Sequence, residues 1–224
     1  MYAAEQSSPP SGLVRARIGG AIFLRRIVLF LDYQNAYMQA RRCFAHLHAP
    51  VTAGQFDPAG LGTLVVGRQL TPSEAVLHQV RVYRGMPDSR RDPRGYMAVD
   101  RQSSAWRADP RVELITRPLR YPRDRPRARP VEKGIDVCLA IDFVAMALRG
   151  EYDVAVLMSS DTDLVPALES VLDLAPAAQP QVAAWTPANG AARRLRVPRA
   201  SLWCHELTQA DYAAVADSRN YLHA

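Results

Sequence analysis

The chain has 224 residues, 48% hydrophobic and 22% charged, the profile of one ordinary globular domain rather than of a fibrous, disordered or membrane-spanning chain. Its 28 basic against 22 acidic residues give a formal charge of +6, which argues against an acidic, cation-sequestering protein and leans towards a polyanionic partner. Every base except Lys133 is arginine, which fits a GC-rich coding bias, while Cys43, Cys138 and Cys204 are odd in number and lack a Cys-x-x-Cys pair, so they indicate neither a disulfide framework nor a zinc site and fit a reducing, cytoplasmic setting.

Residues 1–25 contain the polar run EQSSPPSG and then Arg15 and Arg17, the composition of a flexible N-terminal extension. The apolar stretch from Ile18 is interrupted at Arg25 and Arg26, too early for a signal peptide, and nothing approaches the roughly 18 apolar residues of a membrane span, so no membrane partner is expected. From Ile27 the run IVLFL ends in Asp32, a strand buried on both faces with an acid at its carboxyl tip. A helix follows over Ala36 to Leu47, closed by Pro50; His46 and His48, two apart, do not share a helix face and read as surface residues.

The next strand is expected at Gln79 to Tyr83, then a helix over Tyr96 to Arg107 and a strand over Val112 to Thr116. Residues 117–130 hold six Arg and four Pro and predict a basic loop, with Arg123, Arg125 and Arg127 as candidate substrate contacts and Tyr121 as a ring able to stack on an unpaired base. The same loop also reads as an exposed, Pro-stiffened linker whose charges reflect coding bias. A buried helix is expected over Ile135 to Leu148, a buried strand over Asp153 to Met158, a helix over Leu164 to Leu174, short strands at Val182 to Trp185 and Ser201 to His205, and a C-terminal helix or tail over 208–224. Strands alternating with helices predict an α/β fold, a three-layer sandwich around a mainly parallel central sheet, spanning 26–207.

In such sheets ligands bind outside the carboxyl ends of the strands, where the strand order reverses. Asp32 ends one strand, Asp161 and Asp163 follow another, and Asp136 opens the intervening helix, so the four converge on one edge. Gathered carboxylates repel unless a cation neutralises them, and an all-oxygen donor set suits Mg²⁺ or Mn²⁺. Singly, each acid has an ordinary reading: an Asx-turn at Asp32, a cap at Asp136 or Asp161, a helix-dipole partner at Asp163. Asp142 lies about 240° round the helix from Asp136 and reads as a structural or outlying acid.

The segments IVLFLDYQNAY (27–37), EKGIDVCLAIDFVAMALRGEYDVAVLMSSDTDLVPALE (132–169) and VAAWTP (182–187) resemble the NYN domain proteins, in particular their LabA-like branch, which are PIN-like (Rossmann-like) metal-dependent ribonucleases. The resemblance rests on Asp32 with Asn35, on Lys133-Gly134-x-Asp136, and on Ser159-x-Asp161-x-Asp163. It implies hydrolysis of RNA phosphodiester bonds with Asp32, Asp136, Asp161 and Asp163 as catalytic and metal-holding residues. On a single-stranded or structured RNA substrate, Asn35 would donate to a phosphate oxygen or fix a metal-bound water, Ser159 would hydrogen-bond the phosphate, and Lys133 would meet the RNA backbone or pair internally with a carboxylate. Two departures stand out: Tyr33 and Ser160 occupy positions where the family commonly has glycine, and a Cβ there is expected to alter how substrate approaches.

Two other readings compete: a nucleic-acid-binding or regulatory protein that keeps the fold but cuts poorly, and a Toprim-like phosphoryl-transfer domain. The second wants a glutamate at an earlier strand end where this chain has Asp32. A Gly-x-Gly-x-x-Gly dinucleotide turn is absent. A homo-oligomer stays open.

Overall fold

A computed structural model describes residues 24–122 and 129–222. Six strands, β1 (Arg25–Asp32), β2 (Ala75–Met86), β3 (Val112–Pro118), β4 (Val154–Met158), β5 (Gln179–Trp185) and β6 (Cys204–Leu207), form one sheet in the order β3-β2-β1-β4-β5-β6, every pair parallel. The helices are α1 (Tyr33–Phe44), α2 (Pro58–Gly67), α3 (Pro93–Trp106), α4 (Ile135–Leu148), α5 (Val165–Leu174) and α6 (Gln209–Val215).

Strand side chains alternate between two cores, as the pleat requires. Ile27, Leu29, Leu31, Val154 and Val156 face α1, α2, α3 and α6, while Val28, Phe30, Ala155 and Leu157 face α4 and α5. The three-layer α/β sandwich is therefore the one expected, with a wholly parallel sheet. No helix among the described residues is long and apolar enough to cross a membrane.

The connections run outward from β1 through β2 to β3, then return to β4 on its other side, so the strand order reverses between β1 and β4. Leu31 pairs with Met158, which sets Asp32 beside Ser159 at the carboxyl edge. That is the switch-point crevice where α/β sheets bind ligands.

Several boundaries move. Helix α1 starts at Tyr33 because Asp32 caps it, β2 and β5 begin earlier than their apolar runs, and the last strand is Cys204–Leu207 rather than Ser201 to His205. Helix α2 has no counterpart in the sequence reading. Its segment PAGLGTLVVG is apolar all round and carries three glycines, so neither periodicity nor propensity marks it. The signal present was Asp57-Pro58, a cap followed by a first-turn proline. A Cβ on Gly62 would come within 2.7 Å of Val80 Cγ2, so a glycine is what lets this helix close on β2. Arg117 and Pro118, expected in the basic loop, complete β3, and Arg120 forms an antiparallel bridge with Val131.

Candidate functional site

Asp32 is both the last residue of β1 and the cap of α1: its Oδ1 accepts the Asn35 N–H at 3.2 Å, and its Oδ2 accepts the Ser159 hydroxyl at 2.9 Å. Ser159, fully buried, also accepts the Asp161 N–H at 3.1 Å. Asp161 in turn caps the turn Thr162–Leu164, accepting the Asp163 N–H at 3.1 Å. These bonds lock the end of β1 to the end of β4. Asn35 completes the clasp, its Oδ1 accepting from the Ser160 N–H (3.0 Å), the Ser160 hydroxyl (3.1 Å) and Gln39 Nε2 (2.5 Å).

Both departures from glycine are accommodated. Neither Tyr33 nor Ser160 has positive φ, so neither position demands glycine here. Tyr33 is the first residue of α1 and turns into the core, 4.6 Å from Trp106 and 5.2 Å from Phe56 between ring centroids. Its ring is therefore packed in the core and not at the carboxyl edge. Ser160 spends its hydroxyl on Asn35.

Helix α4 brings Asp136 to the same edge. Gly134 precedes it in the left-handed region (φ 75°), which turns the chain into the helix, and Asp136 sits in the first turn with no side-chain cap beside it. Lys133 is exposed and joins no ion pair among the described residues. Asp142 accepts Arg81 Nη2 and the Tyr83 hydroxyl, each at 2.8 Å, a structural role away from the edge.

Sequence reasoning did not single out Glu132. Its carboxylate accepts the Gly85 N–H at the end of β2. Burial pushes its pKa up, with the charge of Asp136 adding to the rise and the Gly85 N–H and Arg84 opposing it. The Asp32 carboxyl is raised from 3.8 to about 6, chiefly by burial, with the charges of Glu132 and Asp161 adding to the Ser159- and Asn35-opposed shift. Four acids thus feel one another in series: Asp136 on Glu132, Glu132 and Asp161 on Asp32. Asp163 is exposed and enters only through its backbone bond to Asp161. The available signal for Glu132 was its place directly before Lys133-Gly134-x-Asp136; the arginine- and proline-rich run ahead of it masked that.

The donor set fits a hard divalent cation in kind: all oxygen, partly buried, mutually repelling, and in no ion pair with a described base. It is not preassembled. Among the described residues no three His, Cys, Asp or Glu side chains stand together closely enough to hold a metal, because Asp32, Asp161 and Glu132 are each turned onto backbone or hydroxyl donors.

Arg123, Arg125 and Arg127 lie outside the described residues. Tyr121 accepts the Asp88 N–H through its hydroxyl (3.0 Å) and carries the Arg91 guanidinium 5.3 Å over its ring, so that ring is already engaged. A second basic segment, unnoticed in the sequence, follows β5. Leu195 and Val197 are buried against the α5 side, which turns Arg193 and Arg196 outward, and Arg199 pairs with Asp173. This strap starts at the carboxyl edge, one strand beyond β4, on the order of 10 Å from the β1 end.

A family model described as NYN domain matches residues 26–174. No curated protein matches the sequence. Among solved structures, a protein of unknown function from Vibrio parahaemolyticus RIMD 2210633 is similar, with 20% identity over 73% of this chain and 83% of that one and a TM-score of 0.48.

Proposed function

The chain belongs to the NYN domain family, a nuclease-type, PIN-like group, and from that premise we propose that it is a ribonuclease hydrolysing RNA phosphodiester bonds with Mg²⁺ or Mn²⁺. The observation that carries the reading is the run of carboxylates from the ends of β1 and β4 and the start of α4 at the switch point of the sheet, none of them in an ion pair among the described residues. Asp32, Asp136 and Asp161 would hold the cation, with Asp163 reaching it from the exposed side and Glu132 assisting from the β2 end. When bound, such a cation lowers the pKa of water and offsets charge on the attacking and leaving oxygens of a phosphodiester.

The chain's own residues do the rest. Ser159 fixes the Asp32 carboxylate in place through its hydroxyl, so it acts as a positioning residue more than as a phosphate contact. Asn35, anchored by its carbonyl, offers Nδ2 to a phosphate oxygen. Lys133, exposed near Asp136 and in no ion pair among the described residues, supplies a point charge for the RNA backbone. The exposed arginines of the strap, Arg193 and Arg196, would continue the positive path away from the acids, and Arg123, Arg125 and Arg127, which lie outside the described residues, stay candidate RNA contacts by composition alone.

One observation favours a second reading. Because the carboxylates are spent on local caps rather than gathered, the same surface suits an RNA-binding protein that cuts poorly. Cleavage of a mixed RNA pool with Mn²⁺ or Mg²⁺, with and without EDTA, separates the two. The nuclease reading expects chelator-sensitive cutting that falls at least about 100-fold in both Asp136→Asn and Asp161→Asn. Folded wild-type protein that binds RNA but never cuts it would leave only the binding role.

A further inference from the structure

On the α1 side of the sheet, a cavity of about 200 Å³ opens between Tyr37 of α1, Arg84 and Pro87 at the end of β2, Val99 and Gln102 of α3, and the segment Asn220 to Leu222. It lies at the carboxyl edge, since Arg84 follows Tyr83, the partner of Asp32 in the sheet, and points to the opposite face. Gly85, next along, holds Glu132, so one strand end serves both the acids and this cavity.

Two polar side chains of the cavity are incompletely used. Arg84 donates Nη1 to Gln102 Oε1 at 2.8 Å, but its buried Nε meets no acceptor, and Gln55 Oε1 is buried with no donor. Arg84 is held in place, its guanidinium 5.0 Å over the Tyr33 ring and 5.2 Å over Trp106, and forms no ion pair among the described residues. Gln102 is fixed as well, donating Nε2 to the Tyr33 hydroxyl at 3.2 Å. Apart from Asn220 at the rim and the backbone of Gly95, the remaining walls are aromatic or aliphatic. Apolar walls with a few rigid, convergent hydrogen-bonding groups are the make-up of a site for a flat heteroaromatic ligand. A phosphate would satisfy Arg84 alone and leave Gln55 and the apolar walls unmatched.

We propose that this cavity receives one unstacked nucleobase of the bound RNA, with Arg84 Nε donating to a ring or carbonyl acceptor and Gln55 accepting from a base donor. The inference rests on the RNA reading of the acid edge and adds to it a substrate class: single-stranded RNA, one of whose bases is turned out beside the cleavage edge. Tyr37, pinned by its hydroxyl to Val51 O at 2.8 Å, and the buried Tyr221 flank the cavity with rings already in place.

The test uses the full chain in EDTA, titrated with adenosine and, separately, with ribose 5-phosphate, following backbone amide shifts by NMR. Adenosine is expected to move the amides of Tyr37, Arg84, Val99 and Gln102, and ribose 5-phosphate is not. Val99→Trp, which fills the cavity, and Gln55→Leu, which removes an acceptor without adding bulk, should each weaken adenosine binding about tenfold while keeping the wild-type spectrum elsewhere. Equal or stronger shifts with ribose 5-phosphate would make this an anion site and overturn the proposal, as would adenosine shifts absent from these four amides. Because no cleavage is needed, the outcome stands apart from the nuclease assay: RNA cutting without adenosine binding removes the base pocket alone, and adenosine binding without cutting removes the nuclease alone.

Discussion

At the scale of single residues, Asp32 carries conflicting duties. It caps α1, receives the Ser159 hydroxyl and sits partly buried close to two other acids, so its carboxylate is held at higher energy than in water. A folded-state pKa of about 6 against 3.8 means the charge destabilises the fold in full above about pH 6, and the penalty drains away only as pH falls from there towards 3.8. Asparagine keeps the cap and removes the charge. Asp32→Asn is therefore expected to stabilise the cation-free protein by about 2 kcal/mol near neutral pH, discounted for partial exposure, while removing cleavage. Urea unfolding in EDTA measures the first effect; a variant less stable than wild type would mean that burial at Asp32 is already compensated.

At the scale of elements, what the sequence made legible follows burial. Strands β1 and β4 are apolar on both faces and helix α4 is a long apolar run ended by Gly150, so the positions of Asp32, Asp136 and Asp161 at the carboxyl edge are legible from these elements. Helix α2 has no polar stripe to set its period, and Glu132 belongs to no regular element, so pattern reading passed over both. The strap after β5 carries no helical or strand period, so the sequence does not mark it. Its buried Leu195 and Val197, two apart, are what give it a fixed outward face. If that face tracks RNA, Arg193→Gln with Arg196→Gln should lower the slope of log affinity against log salt by about 1.4, two phosphate contacts at roughly 0.7 each for a single strand. Anisotropy titrations with labelled single-stranded RNA in EDTA read that slope directly, and an unchanged slope would assign these arginines to solvent.

At the scale of the whole molecule, the reversal of strand order gives the site its crevice, while the α2 face of the sheet carries a buried polar knot that ties the segment just after α2 to β5 and β6. His205 Nε2 lies 2.7 Å from Gln181 Oε1 and 3.3 Å from Gln69 Nε2, and its Nδ1 is buried with no partner. Protonation would place a new N–H at Nδ1 without an acceptor, inside a region that excludes water and near the positive Arg68. Burial first, and Arg68 second, lower the imidazole pKa from 6.5 to about 4. Since the unfolded chain then takes up its proton at the higher pH, the stabilisation is complete above about pH 6.5 and drains away as pH falls towards 4, a loss of about 2 kcal/mol by about pH 5. Asp32 titrates in the opposite sense over part of this window, so the His205 contribution must be read as a difference between proteins. His205→Gln keeps a neutral polar side chain in the knot and has nothing to titrate. The stability gap between wild type and His205→Gln, measured by urea unfolding at neutral and at acid pH, should shift by that amount in favour of the variant on acidification; a gap independent of pH would show that the imidazole is protonated in the fold and that the knot opens to receive it.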